Sequence, residues 1–139
     1  LTELVLEEMR LANPTELIHA IYDKGLQRRA ITGIAAVVQR GADAGDATAS
    51  EILSRAGAEL AAAAAAVIGR LGMRGEVFRT VLAGGIFRGI PALVADVRAR
   101  LSEIAPRSET GLLMVEPAVG AVHLARAAAH GPVRLLTYV

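Results

Sequence analysis

The stretch that decides the fold is VFRTVLAGGIFRG, residues 77–89, in which an apolar run ends in a pair of glycines. The run from Val77 to Leu82 is rich in β-branched residues, which is typical of a strand. A helical pattern begins directly afterwards, near Ile90 and Pro91. Paired glycines at the end of a strand let another group approach the backbone closely, because no Cβ stands in the way. The stretch therefore predicts a strand, a loop and a helix, and part of a site for a flat nucleotide ring at Gly84–Gly85.

The residues that follow repeat the change from strand to helix. The pattern predicts an amphipathic helix over residues 90–104, a second short strand over 112–115 and an alanine-rich helix over 119–129. Two strands joined by a crossover of about 25 residues form a parallel βαβ unit. Parallel sheets are covered on both faces, and two strands are too few for that. Either the tail, residues 133–139, adds a strand, or the sheet continues in polypeptide outside this sequence.

The first half of the chain carries helical periodicity almost throughout. It predicts helices over about residues 1–11, 17–22, 26–42 and 47–71. Asp46 is the expected N-cap of the last of these, because its carboxylate can accept the free amides of the first turn. Six consecutive alanines, residues 61–66, favour a helix and let a neighbouring element come close. We therefore expect one helix-rich α/β domain over residues 1–139, with a helical half of about 1–72, a βαβα half of about 76–130, and a tail, 131–139.

Composition excludes several classes of function. The 139 residues carry a net charge of +1, and the 15 basic residues are scattered and accompanied by only two Tyr and two Phe, which argues against nucleic-acid binding. There is no cysteine, which rules out disulfides, thiol catalysis and cysteine-ligated clusters within the chain. The longest uncharged apolar run, residues 60–69, is far shorter than the roughly 20 residues that a bilayer span needs. We expect a cytoplasmic protein that contacts no membrane.

Several polar residues that could carry chemistry have simpler roles. Asp43 and Asp46 are expected to cap a helix or lie in a solvated loop. Asp96 and Glu103 fall on the polar face of a predicted helix, where we expect solvent. The three histidines, at positions 19, 123 and 130, lack a metal-ligand spacing. We therefore predict no metal site in this chain.

Three segments together resemble a known family. They are ITGIAAVVQRGADAGDATASEILSRAGAELA, then VFRTVLAGGIFRG, then VEPAVGAVHLA. The most specific elements are Gly45–Asp46 with Ala49, the pair Gly84–Gly85 after a strand, and Pro117 with Gly120–Ala121. With these elements in this order, the chain resembles the C-terminal half of the BadF/BadG/BcrA/BcrD-type ATPases. The resemblance covers about residues 4–129. That group includes N-acetylglucosamine kinases and glucosamine kinases.

The resemblance implies an actin-like, ribonuclease-H-like ATPase fold with two lobes and a cleft between them. In such proteins the glycine pair of the second lobe lies beside the adenosine of ATP. That role would fall on Gly84 and Gly85, with Ile86 and Arg88 as walls of the adenine site. The loop between a parallel strand and the following helix is also where α/β sheets bind ligands in general.

The resemblance also implies that this chain holds only half of an active site. The phosphate-gripping loops and the catalytic aspartate of the family belong to the first lobe, and no Asp-x-Gly-x-Thr stretch occurs here. The chain begins with Leu1 rather than Met, as a piece of a longer protein would. We expect no catalytic residue in it, with ATP and Mg²⁺ as cofactors and an amino sugar as substrate of the parent protein. Animal relatives are dimeric, so a homodimer is expected.

Other functions fit the same resemblance. One is the ATP-driven activator of 2-hydroxyacyl-CoA dehydratase or benzoyl-CoA reductase systems, some of which carry a cysteine-ligated iron–sulfur cluster that this chain cannot supply. Another is a non-catalytic, actin-like module that senses nucleotide. The ROK group of sugar kinases and repressors is a further neighbour, but its cysteine-rich zinc motif is absent. A kinase consumes ATP only with a hexosamine present, an activator couples ATP turnover to a redox partner, and a sensor binds without turnover.

Overall fold

The chain folds into a helix-rich α/β arrangement with a small parallel sheet. The computed structural model describes residues 1–22 and 28–131. Within these residues the elements, in chain order, are α1 (Thr2–Met9), α2 (Pro14–Tyr22), α3 (Arg28–Asp43), α4 (Ala47–Arg70), β1 (Arg79–Leu82), α5 (Gly85–Gly89), α6 (Pro91–Ile104), β2 (Glu109–Leu112) and α7 (Pro117–His130). A 3₁₀ turn, Met73–Gly75, joins α4 to β1. The predicted fold class, a helix-rich α/β chain with a small parallel sheet, is confirmed at this level. The predicted end of the second helix at Lys24–Gly25 and the tail, residues 133–139, lie outside the described residues.

The helix boundaries follow the capping signals in the sequence. Asn13 and Glu16 exchange hydrogen bonds at the start of α2, where the amide of Glu16 donates to Asn13 Oδ1 at 3.2 Å. Asp46 caps α4 as predicted: the amide of Ala49 donates to Asp46 Oδ1 at 2.9 Å. The same carboxylate also contacts the amino group of Leu1. The Asp46 side chain therefore contacts Leu1 as well as the first turn of α4.

The sheet contains two strands in parallel register. β1 pairs with β2 from Arg79 opposite Glu109 to Leu82 opposite Leu112. The second strand was predicted at residues 112–115 but lies at Glu109–Leu112, so the prediction was three residues too far along the chain. The prediction was based on the apolar run, but the residues that pair with β1 are the more polar ones just before it. An ion pair joins the two strands there, with 3.5 Å between Arg79 Nε and Glu109 Oε2. Met114 and Val115, which were predicted in the strand, are exposed.

The hydrophobic core lies between α4, α6 and the inner face of the sheet. Leu93, Val97 and Leu101 of α6 are almost fully buried, and they cluster with Leu82 of β1. They lie on the face that the sequence predicted. α3 also packs against α4 and contributes Val38 to the same cluster. α6 is thus the crossover helix that covers one face of the sheet.

α4 and α6 are in close contact at Gly57, one turn before the alanine run. A Cβ at Gly57 would lie 1.9 Å from Oδ2 of Asp96 and 2.9 Å from its Cγ. Asp96 was expected to be solvated, and this expectation is wrong: its side chain is half-buried against Gly57 and accepts a hydrogen bond of 2.8 Å from Arg100 Nε. Arg100 in turn donates to Ser54 Oγ at 3.2 Å, so this cluster links α6 to α4. Of the six alanines, Ala61 is buried and Ala62, Ala63 and Ala66 are exposed.

α4 is also the one helix, among the described residues, that by length and composition could cross a bilayer. The sequence did not indicate this, because Glu59 interrupts the apolar run. One such helix is weak evidence, since a core helix of a soluble protein meets the same criterion. Five residues of α4 are buried within the fold: Ala49, Leu53, Gly57, Ala61 and Ile68.

The capping role of Asp46 predicts a pH-dependent contribution to stability. Hydrogen bonds from the Leu1 amino group and then from the Ala49 amide lower the pKa of Asp46 in the folded state. A lowered folded-state pKa stabilises the protein above the unfolded-state pKa, ~3.9, and this stabilisation is lost as the pH falls through the folded-state value. Asp46→Asn keeps a capping oxygen but not the charge. We expect its urea midpoint to lie below that of the wild type near neutral pH, and the two midpoints to converge in acid.

Asp46→Ala is the companion variant, because it removes the capping oxygen as well. Its midpoint should lie below that of Asp46→Asn at every pH, by an amount that does not change with pH. A gap between wild type and Asp46→Asn that stays constant into strong acid would contradict the role assigned to the charge.

Candidate functional site

The predicted site lies at the carboxyl end of the sheet. Because β1 and β2 are parallel, the loops that follow them meet at the same edge. The first loop runs from Leu82 through Gly84 into α5, and the second runs from Leu112 to the start of α7. Open α/β sheets bind ligands at this edge. The topology therefore puts the glycine pair where the sequence predicted a site.

Gly84 holds a backbone conformation that only glycine adopts easily. Its φ is 125° and its ψ is 160°, and it is the residue before the first turn of α5. A side chain at such a φ is strained by steric conflict with the neighbouring carbonyl groups. The turn out of β1 therefore requires glycine at this position for a reason of backbone geometry.

Gly85 is a glycine for a different reason. It begins α5, and its φ is one that residues with side chains adopt readily. A Cβ built on Gly85 would meet no atom within 4 Å, and the same holds for Gly84. Both residues are exposed. The two glycines thus present a bare stretch of main chain to the solvent, which is the surface that a flat ring would need.

The different roles of the two glycines predict different effects of alanine. Gly84→Ala should destabilise the fold by about 1–2 kcal/mol, because alanine is strained at a φ of 125°. Gly85→Ala should be neutral or slightly stabilising, because alanine is the better helix former. Urea denaturation of both variants measures the difference. Equal midpoints for the two variants would show that the turn relaxes freely and that the geometry of Gly84 has no energetic role.

The short helix α5 was not predicted. Five residues with a glycine at each end have little intrinsic helix propensity, so the segment read as a loop. Packing stabilises α5 despite its low helix propensity. Phe87 is half-buried and contacts the core cluster, and α5 lies against both α3 and α6. Phe87, two positions after the glycine pair, is the feature of the sequence that could have indicated this packed helix. Ile86, a predicted wall residue, is 47% exposed beside the glycines.

Arg88 has a partner that the sequence did not indicate. Its Nη1 lies 3.0 Å from Glu116 Oε1, so an ion pair joins α5 to the residue before α7. The pair is exposed, and such pairs contribute little to stability. Its effect is geometric, since it connects the two loops at the carboxyl edge of the sheet. The wall role predicted for Arg88 stays a prediction, and in the structure its guanidinium is paired with the Glu116 carboxylate.

A shallow cavity of about 270 Å³ lies between α5, α6 and β2. Its lining comes from α5, α6 and β2, and comprises Phe87, Arg88, Pro91, Val94, Ala95, Arg98 and Leu112. Gly84 and Gly85 are not part of this lining. No protein atom lies within 4 Å of a Cβ built on either glycine, so a ligand held against this backbone would need a further wall from another polypeptide segment.

The remaining polar candidates lie away from the carboxyl edge. Asp46 caps α4, and Asp43 Oδ1 accepts a hydrogen bond of 2.7 Å from Gln39 Nε2 within α3. His123 lies on the exposed surface of α7, and His130 Nδ1 lies 2.7 Å from the carbonyl oxygen of Arg126. No three His, Asp or Glu side chains come together as metal ligands in the described part of the chain. No protein-family model matches the chain, and no curated protein matches it.

Proposed function

We propose that this chain is the nucleotide-binding half of an ATP-dependent amino-sugar kinase of the BadF/BadG type, with the C-terminal lobe of an actin-like ATPase fold. The observation that carries the proposal is the bare backbone of Gly84 and Gly85 at the carboxyl edge of a parallel sheet. Adenosine would lie flat against these two residues, with Ile86 contributing an apolar side wall.

The residues present fit the adenosine part of ATP better than its phosphates and metal. The open main chain at Gly85 suits a flat ring, and the exposed side chain of Ile86 suits its apolar face. No cluster of three acidic or histidine ligands forms among the described residues, so Mg²⁺ would be held by the phosphates and by a first lobe. Transfer of the phosphoryl group to a sugar hydroxyl would likewise depend on a carboxylate outside this chain. The role of this half is to bind and orient the nucleotide.

Titration of the chain with MgATP and MgADP, followed by amide-resolved NMR, tests the proposal. We expect weak binding, with chemical-shift changes centred on Gly84, Gly85 and Ile86 and absent from the exposed helix α7 beyond its first turn. Titration with magnesium triphosphate, which lacks the ribose and the base, is the matched control and should leave these amides unshifted. If these amides do not respond while Leu93 and Leu101 show the dispersed shifts of a folded core, nucleotide binding by this half is wrong.

The kinase reaction is tested on the longer protein that carries this chain. ATP consumption should depend on glucosamine or N-acetylglucosamine and should yield the sugar phosphate. Turnover that needs a redox partner would favour the activator type instead. Nucleotide binding without turnover under either condition would favour a sensing module.

A further inference from the structure

The cavity between α5, α6 and β2 combines an apolar lining with two guanidinium groups. Five apolar residues of these elements line it: Phe87, Pro91, Val94, Ala95 and Leu112. Val94 belongs to the hydrophobic core, and Phe87 and Leu112 pack against that core. The other two lining residues are Arg88 and Arg98. The apolar walls are therefore held in place by core packing, and two positive charges lie beside them.

Arg98 carries a charge that is not neutralised within the described part of the chain. Its exposed side chain makes no hydrogen bond or ion pair with any of the described residues. The nearest acid in the sequence, Asp96, lies against Gly57 of α4 and is bound by Arg100. A guanidinium presents parallel N–H groups that match the two oxygens of a carboxylate. Arg98 is therefore available to an anion that enters the cavity.

Arg88 uses only part of its hydrogen-bonding capacity. A guanidinium has donors on three nitrogens, and the bond to Glu116 Oε1 uses Nη1 alone. The Nε and Nη2 groups of Arg88 donate to no residue that the structure describes. Arg88, Arg98 and Glu116 together leave one positive charge in excess, because two guanidinium groups share a single carboxylate. The charge of the cavity therefore matches a ligand with one negative charge.

The size of the cavity limits this ligand to a small molecule. Its volume of about 270 Å³ lies just below the roughly 300–1,000 Å³ of sites that hold drug-sized ligands. One ring or one short branched chain would fill the apolar part. A nucleoside triphosphate carries several negative charges, which the single excess positive charge does not match. The volume and the charge together favour a compact organic monoanion.

We propose that this cavity binds a small organic monocarboxylate with an aromatic or branched apolar body. The body lies against Phe87, Val94 and Leu112, where the ring of Phe87 favours an aromatic partner. The carboxylate accepts hydrogen bonds from Arg98 and from the free donors of Arg88. The lining does not include the glycine pair of the proposed nucleotide site. This inference therefore does not depend on the chain binding a nucleotide.

Titration of the full chain with phenylacetate, followed by NMR, tests the proposal. We expect saturable shift changes at the amides of Phe87, Val94 and Leu112, and at the Nε–H signals of Arg88 and Arg98. Two related molecules are the controls. Acetate carries the charge without the apolar body, and phenylacetamide carries the body without the charge. Each should bind at least about tenfold more weakly than phenylacetate.

Three substitutions separate the roles of the charges. Arg98→Gln removes the unpaired guanidinium and should weaken the binding of phenylacetate at least about tenfold. Glu116→Gln removes the carboxylate that partly neutralises Arg88, and should strengthen binding about threefold. Arg55→Gln is the matched control, because Arg55 is an exposed arginine of α4 that lies outside the lining and has no partner among the described residues. It should bind phenylacetate as the wild type does.

Three results would overturn the proposal in a protein that shows the dispersed shifts of a folded core. The first is the absence of any saturable response at the lining amides. The second is equal binding of phenylacetate and either control molecule, which would mean that the apolar walls and the arginines do not act together on one ligand. The third is an equal loss of binding in Arg98→Gln and Arg55→Gln, which would mean that only the net charge of the chain attracts the anion.

Discussion

Gly57→Val should lower the melting temperature of this protein by roughly 10 °C, which corresponds to about 2–3 kcal/mol of unfolding free energy. The reason is the contact between α4 and α6, where a Cβ at position 57 would lie 1.9 Å from Asp96 Oδ2. Valine cannot be accommodated by a small rotation of Asp96, because its Cγ would still be 2.9 Å from the new Cβ. The two helices must move apart, or Asp96 must leave Arg100. Thermal unfolding followed by circular dichroism measures the change.

Gly69→Val is the matched control on the same helix. A Cβ at Gly69 would approach only the Arg74 guanidinium, at 3.8 Å, which is ordinary contact. Because valine is a better helix former than glycine, this variant should be neutral or slightly more stable. A second test combines Gly57→Val with Asp96→Ala, which removes the obstructing carboxylate and should restore part of the lost stability. Equal melting temperatures for Gly57→Val and Gly69→Val would show that the close approach at Gly57 has no energetic weight.

Gly85→Val should weaken the binding of MgADP by at least about tenfold, or about 1.4 kcal/mol, if the nucleotide lies against the main chain as proposed. The isopropyl group would project into the open space next to Gly85, where no protein atom lies within 4 Å of a Cβ. It would therefore obstruct a ligand without disturbing the packing of the protein. Isothermal titration or the amide shifts of Gly84 and Ile86 give the affinity.

Gly89→Val is the control for this experiment. Gly89 ends the same short helix, and a Cβ there also meets no atom within 4 Å, but the residue lies one turn away from the glycine pair. It should bind MgADP as the wild type does. If Gly85→Val binds MgADP with undiminished affinity, the nucleotide is not held by the glycine backbone, and the role proposed for Gly84–Gly85 is wrong.

The helices could be predicted well because their signals are local. Asp46 caps α4 through an amide three residues away, and Pro91 starts α6 at its first turn. The apolar spacing of α6 also identified its buried face, including Leu93 and Leu101. Each of these inferences depends on atoms separated by a few residues, which the sequence displays directly.

The strands and the site depended on distant partners and could be predicted only in part. The position of the loop after β1 could be predicted from Gly84–Gly85. The bounds of β2 could not, because they depend on its pairing with β1, in which Glu109 lies opposite Arg79, 30 positions earlier in the sequence. The ion pair between Arg88 and Glu116 likewise joins two loops that the sequence treats as unrelated. The contact between Gly57 and Asp96 had no local signal, since glycine within a helix reads simply as a weak helix former.

The parallel register of β1 and β2 also sets an order for folding. Helices α3 and α4 are neighbours in the chain and can pack as a hairpin early, whereas pairing Arg79 with Glu109 requires closure of a long loop and a formed α6. Mutations within α4 should therefore slow folding, and mutations at the strand ends should mainly accelerate unfolding. The carboxyl edge of the sheet, which carries the glycine pair, would then be the last part of the chain to become ordered and the first to open.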